Sequence, residues 1–139
     1  MKMSVIKELL RTEADGTISF GNYELDQKTK LSDFEYNGDL YKVKTFKEIT
    51  KLERNGMLVY ESVPGTAVSS FKEDGNSVMF TVEGPEDAQV TLGMEEDTVY
   101  KVTINGVDSG CVKTNMSGKL VLSVEMGNED QVMVKAEKQ

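Results

Sequence analysis

Apolar and polar residues alternate with a period of two along most of the chain, and Asn-Gly or Gly-Asn pairs punctuate the alternation. The pattern is fullest from Tyr100 to Val112. Tyr100, Val102 and Ile104 alternate with Lys101 and Thr103, and Asn105-Gly106 then supplies the two positive-φ residues of a type I′ turn. The predicted hairpin sets Ile104 opposite Val107, Val102 opposite Ser109 and Tyr100 opposite Cys111. The stretch LSDFEY-NG-DLYKVKT repeats the device at Asn37-Gly38, with Phe34, Tyr36, Tyr41 and Val43 on its apolar face. TISF-GN-YEL reads as another hairpin, turned at Gly21-Asn22, with Phe20 opposite Tyr23 and Ile18 opposite Leu25.

Two stretches depart from this grammar. In residues 3–13, Val5, Ile6, Leu9 and Leu10 fall on one helical face after Ser4 as N-cap, and Asp15-Gly16 follows, so a short helix is predicted. Residues 45–54 fit two structures. Thr45 to Glu48 matches a capping box, and Phe46, Ile49 and Leu52 share a helix face ahead of Asn55-Gly56. The same residues fit a hairpin, ITKLER-NG-MLVYES, with Leu52 opposite Val59, and a further Asn-Gly among hairpins favours that reading. Val63-Pro64-Gly65 interrupts the run. Beyond it, strands are predicted at 67–71, 77–82, 89–92, 98–104, 107–113, 119–124 and 131–136, with turn residues between them. Short, evenly spaced strands predict an all-β fold, an antiparallel β-sandwich with a short N-terminal helix. Residues 1–139 form one domain in this reading, with 1–63 and 66–139 as its natural subdivisions.

Charge narrows the partners. Asp and Glu number 24 against 16 Lys and Arg, so the chain carries −8 and repels nucleic acid and anionic membranes on average. No contiguous Lys/Arg block offsets that average. No segment approaches the ~20 apolar residues of a membrane helix, and Glu8 and Arg11 sit where a signal sequence would be apolar. With one cysteine, Cys111, an intrachain disulfide is excluded, and a cytoplasmic location is expected. Histidine is absent, which removes His metal ligands, His general bases and Ser-His or Cys-His nucleophile pairs.

The remaining candidates are sparse. Asp33, Glu35, Asn37 and Gly38 follow the first half of a calcium-loop pattern, but Lys44 stands where its bidentate Glu belongs, so no metal site is assigned. Acidic pairs at Glu73-Asp74, Glu86-Asp87, Glu95-Glu96-Asp97 and Glu129-Asp130 fall in predicted turns and read as solvated charge. Cys111, opposite Tyr100, reads as a buried inert thiol, and the eight methionines read as core filler. Tyr36, Tyr41 and Tyr60 are the candidate binding residues, because tyrosine on a sheet face stacks on sugar rings or anchors a protein interface. No catalytic residue and no cofactor are predicted.

The C-terminal segment YKVTINGVDSGCVKTNMSGKLVLSVEMG, with QVMVKAE after it, resembles the closing strands of immunoglobulin-like sandwiches appended to bacterial glycoside-processing enzymes. KTFKEITKLERNGMLVYESVPGTAV and VEGPEDAQVTL are similar to a family of short proteins from anaerobic gut Firmicutes, some of which carry the label endosialidase. Those resemblances imply an immunoglobulin-like C-terminal half. The sialidase activity does not carry over, since such hydrolases grip the substrate carboxylate with an arginine cluster and this chain has only Arg11 and Arg54. The expected function is a non-catalytic interaction or self-assembly module, a homo-oligomer or a binder of another protein. A carbohydrate-binding module is the alternative, and a carboxylate-based glycoside hydrolase is a minor one.

Overall fold

A computed structural model describes residues 5–126 and 131–139. The strands are β1 (Leu10–Thr12), β2 (Ile18–Phe20), β3 (Thr29–Tyr36), β4 (Asp39–Phe46), β5 (Ile49–Arg54), β6 (Met57–Val63) and β7 (Ala67–Glu73). They continue with β8 (Ser77–Glu83), β9 (Ala88–Gly93), β10 (Val99–Ile104), β11 (Val107–Lys113), β12 (Lys119–Val124) and β13 (Val132–Lys138). Two antiparallel sheets result. One has the order β1-β2-β7-β8-β13-β10-β11, the other β12-β9-β6-β5-β4-β3. The chain is thus an all-β sandwich. Among the described residues no helix is long and apolar enough to cross a membrane.

Alternation builds the core, because every second side chain on a strand faces the other sheet. Val78, Phe80 and Val82 on β8 and Val132, Val134 and Ala136 on β13 meet Val90 and Leu92 on β9 and Leu120, Leu122 and Val124 on β12. Aromatic rings bridge the sheets edge to face, Phe20 to Tyr60 at 5.2 Å and Tyr60 to Phe80 at 5.6 Å. The methionines do little of this filling. Met57, Met79, Met116 and Met133 are exposed, and Met126 is buried.

The Asn-Gly turns form as predicted. Asn37, Asn55 and Asn105 have φ of 52, 51 and 51°, and their glycines 81, 82 and 79°. Residues 49–63 are the hairpin and not the helix, although a bulge sets Leu52 opposite Tyr60 in place of Val59. In the β10–β11 hairpin Ile104 faces Val107, but an extra residue on β11 shifts the rest, so Lys101 faces Cys111 and Tyr100 faces Val112. Gly110, at φ 95°, absorbs that bulge, and its N–H donates to Asp108 Oδ1 at 2.8 Å. One residue of slip turns a side chain to the opposite face. Cys111 is therefore exposed, not buried as predicted.

Among the described residues 5–13 the predicted N-terminal helix does not form. Ser4 lies outside the described residues. Leu9 sits at φ 72°, and residues 10–12 pair with 18–20 as strand. Ile6 and Leu10 are buried all the same, so their helix-like spacing serves a turn followed by a strand. Gly21-Asn22 does not turn a hairpin either. Phe20 pairs with Leu10 and Val68. Gly21 is required for close approach, since a Cβ there would lie 2.4 Å from the Thr66 carbonyl oxygen.

The C-terminal strands depart from the immunoglobulin order, which groups A, B, E, D in one sheet and C, F, G in the other. Here β8–β13, β9–β12 and β10–β11 pair one inside the next, switching sheets at each step. Strands from both sides of Val63-Pro64 share each sheet, with β2 beside β7 and β6 beside β9.

Candidate functional site

Two of the three predicted tyrosines come together. Tyr36 ends β3 and Tyr41 follows on β4, on the side of the hairpin that faces the first sheet. Their rings pack edge to face at 5.6 Å. They border a cleft of about 280 Å³ lined also by Asp15, Asp39, Arg54, Phe71 and Glu73. The Tyr36 hydroxyl donates to the Gly16 carbonyl, tying β3 to the β1–β2 turn. Arg54 Nη1 donates to Glu73 Oε1 at 2.6 Å, and the guanidinium also acts on the Tyr41 phenol. Burial raises the Tyr41 phenol above its usual range, and Arg54 opposes that rise. Tyr41 itself is 6% exposed, so only its rim reaches the cleft.

Tyr60 lies elsewhere, enclosed in the core. Its hydroxyl meets Thr66 Oγ1 at 2.8 Å, as does Ser62 Oγ. Burial pushes its pKa up to about 12. Around it runs a chain of buried polar groups. The Asn22 N–H donates to Thr45 Oγ1 at 2.9 Å, and Thr45 Oγ1 lies 2.8 Å from Thr50 Oγ1. Thr50 Oγ1 donates to the Thr66 carbonyl at 2.8 Å and accepts from the Thr66 N–H at 3.0 Å. Because the Thr50 proton is used on Thr66, the Thr45 hydroxyl is the donor between the two. The chain fastens the segment after β2 and the start of β7 to β4 and β5.

The acids divide between surface and core. Asp33, Glu35, Asn37 and Asp39 are strung along the β3–β4 hairpin, where an extended backbone separates them. Among the described residues no group of three acidic or cysteine side chains is placed to hold a metal. Glu129-Asp130 lies outside the described residues. In the cleft, Thr17 bonds to Asp15 hold that carboxyl below its usual range, the reverse of what a glycosidase general acid needs. Among the described residues Glu83 is the buried acid, 1% exposed, beside Tyr23. Burial first, and the Glu83 charge second, push the Tyr23 phenol up to about 12.

The open strand edges were not marked by any residue type. Each sheet ends in two. In the first sheet β1 is 3 residues long, and β11 is bent by the Gly110 bulge. In the second, β3 is broken by a bulge between Leu31 and Phe34, with Asp33 at φ 58°. Only β12 is regular, paired with β9 without a break from Lys119↔Gly93 to Val124↔Ala88. Among the described residues no strand lies beyond it. Leu120, Leu122 and Val124 face the core, and Lys119, Val121, Ser123 and Glu125 face solvent. No protein-family model, curated protein or solved structure matches the chain.

Proposed function

We propose that the protein is a non-catalytic interaction module that pairs with a second copy of itself through β12. A regular sheet edge presents unpaired N–H and C=O groups and templates another strand unless it is short, bulged or charged. Three of the four edges are short or bulged, and β12 is neither, its one charged residue, Lys119, standing at its end. The observation that carries the reading is that β12 is self-complementary. An antiparallel pair related by a two-fold axis at Leu122 sets Lys119 against Glu125, Leu120 against Val124 and Val121 against Ser123. Charge meets charge at both ends, and Leu120, Leu122 and Val124 stay on the core face.

Charge exchange tests this register. Lys119→Glu sets like charges opposite at two places in the pair, and so does Glu125→Lys. Each variant is expected to weaken association about tenfold, and Lys119→Glu with Glu125→Lys together restores it. Light scattering over a concentration series reads the mass. A monomer at every concentration, or association indifferent to all three variants, refutes the pairing.

A second reading, carbohydrate binding, is favoured by the cleft that joins Tyr36 and Tyr41 to the Arg54–Glu73 pair. A titration with neutral and acidic oligosaccharides, followed by the ring resonances of Tyr36 and Tyr41, tests it. Unmoved resonances at millimolar sugar would exclude the cleft as a sugar site.

A further inference from the structure

The outer face of the second sheet gathers lysines that are scattered in the sequence. Lys30 on β3 faces Lys44 on β4, and Lys44 faces Lys51 on β5. Lys42 lies two residues along β4, and Lys28 precedes β3 with its Nζ 5.9 Å from the centre of the Phe46 ring. Three lysines thus stand in one row across three strands, about 5 Å from neighbour to neighbour.

Such a row works against the fold, since like charges directly opposite each other on a sheet are destabilising. Among the described residues, no carboxylate lies within ion-pair distance of Lys28, Lys30, Lys42 or Lys44, and Lys51 reaches only Glu53, at 3.9 Å. Desolvation, then the charges of Lys28, Lys30, Lys51 and Lys42, lower the Lys44 pKa. The chain's −8 does not cancel this field. Screening acts over about 8 Å at physiological salt, less than the ~10 Å between packed sheets, so the lysine face acts locally.

We propose that this row is a binding track for a linear phosphate polyanion, a chain of inorganic polyphosphate. Three features select that partner. The track is built from lysine alone, a point charge that reads the density of anionic charge along a chain, without the bidentate fork that arginine offers to carboxylate and phosphate alike. It is narrow, because Glu61 faces Lys51 from β6 and Glu53 faces Lys42 from β5. Those acids oppose a broad anionic plane such as a bilayer and leave room for a single chain. No row of exposed aromatic rings runs beside it for bases to stack on, as single-stranded nucleic acid would use. Phe46, the aromatic of this face, is covered by Lys28.

The test is equilibrium binding of the full chain to short-chain inorganic polyphosphate, with single-stranded DNA, phosphatidylserine vesicles and polyglutamate as parallel arms. Polyphosphate is expected to bind most tightly, with the logarithm of affinity falling against that of salt at a slope of about −2 for three contacts. Lys44→Gln is expected to weaken binding severalfold while raising the melting temperature. Lys30→Gln, Lys44→Gln and Lys51→Gln together lower affinity at least tenfold, and Lys113→Gln on β11 leaves it unchanged. No binding at low salt, or equal affinity of the triple variant, overturns the track. Tighter lysine-dependent binding in any other arm overturns the choice of polyphosphate. The single variant keeps the test open if the triple variant does not fold. The track is independent of β12 pairing, so the charge-exchange variants at Lys119 and Glu125 retain polyphosphate affinity.

Discussion

Replacing Thr50 by valine probes the buried polar chain that fastens the two sheets together. Valine keeps the shape and removes only the hydroxyl. Three contacts disappear, those to the Thr66 carbonyl, the Thr66 N–H and the Thr45 hydroxyl. The Thr45 hydroxyl can rotate, but the Thr66 backbone cannot, and both residues are fully buried. Each orphaned buried group costs about 1–3 kcal/mol, so Thr50→Val is expected to destabilise by about 3 kcal/mol. Thr45→Val orphans the Asn22 N–H and is expected to cost about half as much. The double variant costs less than the sum, because the Thr45–Thr50 bond is counted in both singles. Urea unfolding followed by circular dichroism, with all three variants at one pH, gives the numbers. A loss below about 1 kcal/mol for Thr50→Val would mean that water reaches Thr66 and that the chain is not the fastening described.

Other consequences are as direct. Tyr60 and Tyr23 hold their protons to about pH 12 in the folded state, against 10.0 when exposed. Stability from these raised values is full below pH 10 and is lost as pH rises towards 12, so alkaline unfolding is expected in that window. Absorbance at 295 nm checks it, and five tyrosines ionising together near pH 10 without unfolding would contradict it. Cys111 is expected to react with maleimide in the native protein at nearly the rate of a free thiol, and a reaction that needs denaturant would return it to the core. Gly93→Ala places a Cβ 1.9 Å from the Leu58 carbonyl oxygen, and a loss of about 3 kcal/mol in urea is expected. A neutral result would mean that β6 and β9 are not so close.

Local chemistry made much of the fold legible. Asn-Gly needs no tertiary context to choose a type I′ turn, and alternation is local to a strand, so the sandwich could be read before its partners were known. The errors arise where one residue serves two demands. Ile6 and Leu10 match a helical period because both are buried, yet the turn at Leu9 meets that demand another way. Gly21 marks a close approach to Thr66 and not a hairpin. At Gly110 a single extra residue reverses the face of Cys111, and alternation alone does not reveal a bulge. The lysine row stayed hidden for a related reason. A search for contiguous charge misses residues spaced by two, and only the pairing of β3, β4 and β5 sets Lys30, Lys44 and Lys51 side by side. The cleft was half legible, since tyrosine content pointed to Tyr36 and Tyr41 but gave no sign that Tyr60 faces inward.

Amide hydrogen exchange of β12 at low and high protein concentration bears most directly on self-pairing. Alternate amides of Lys119–Val124 point away from β9, and pairing predicts that their exchange slows as concentration rises while that of β11 does not change. Exchange of those amides at one fast rate across the whole concentration range would contradict the account.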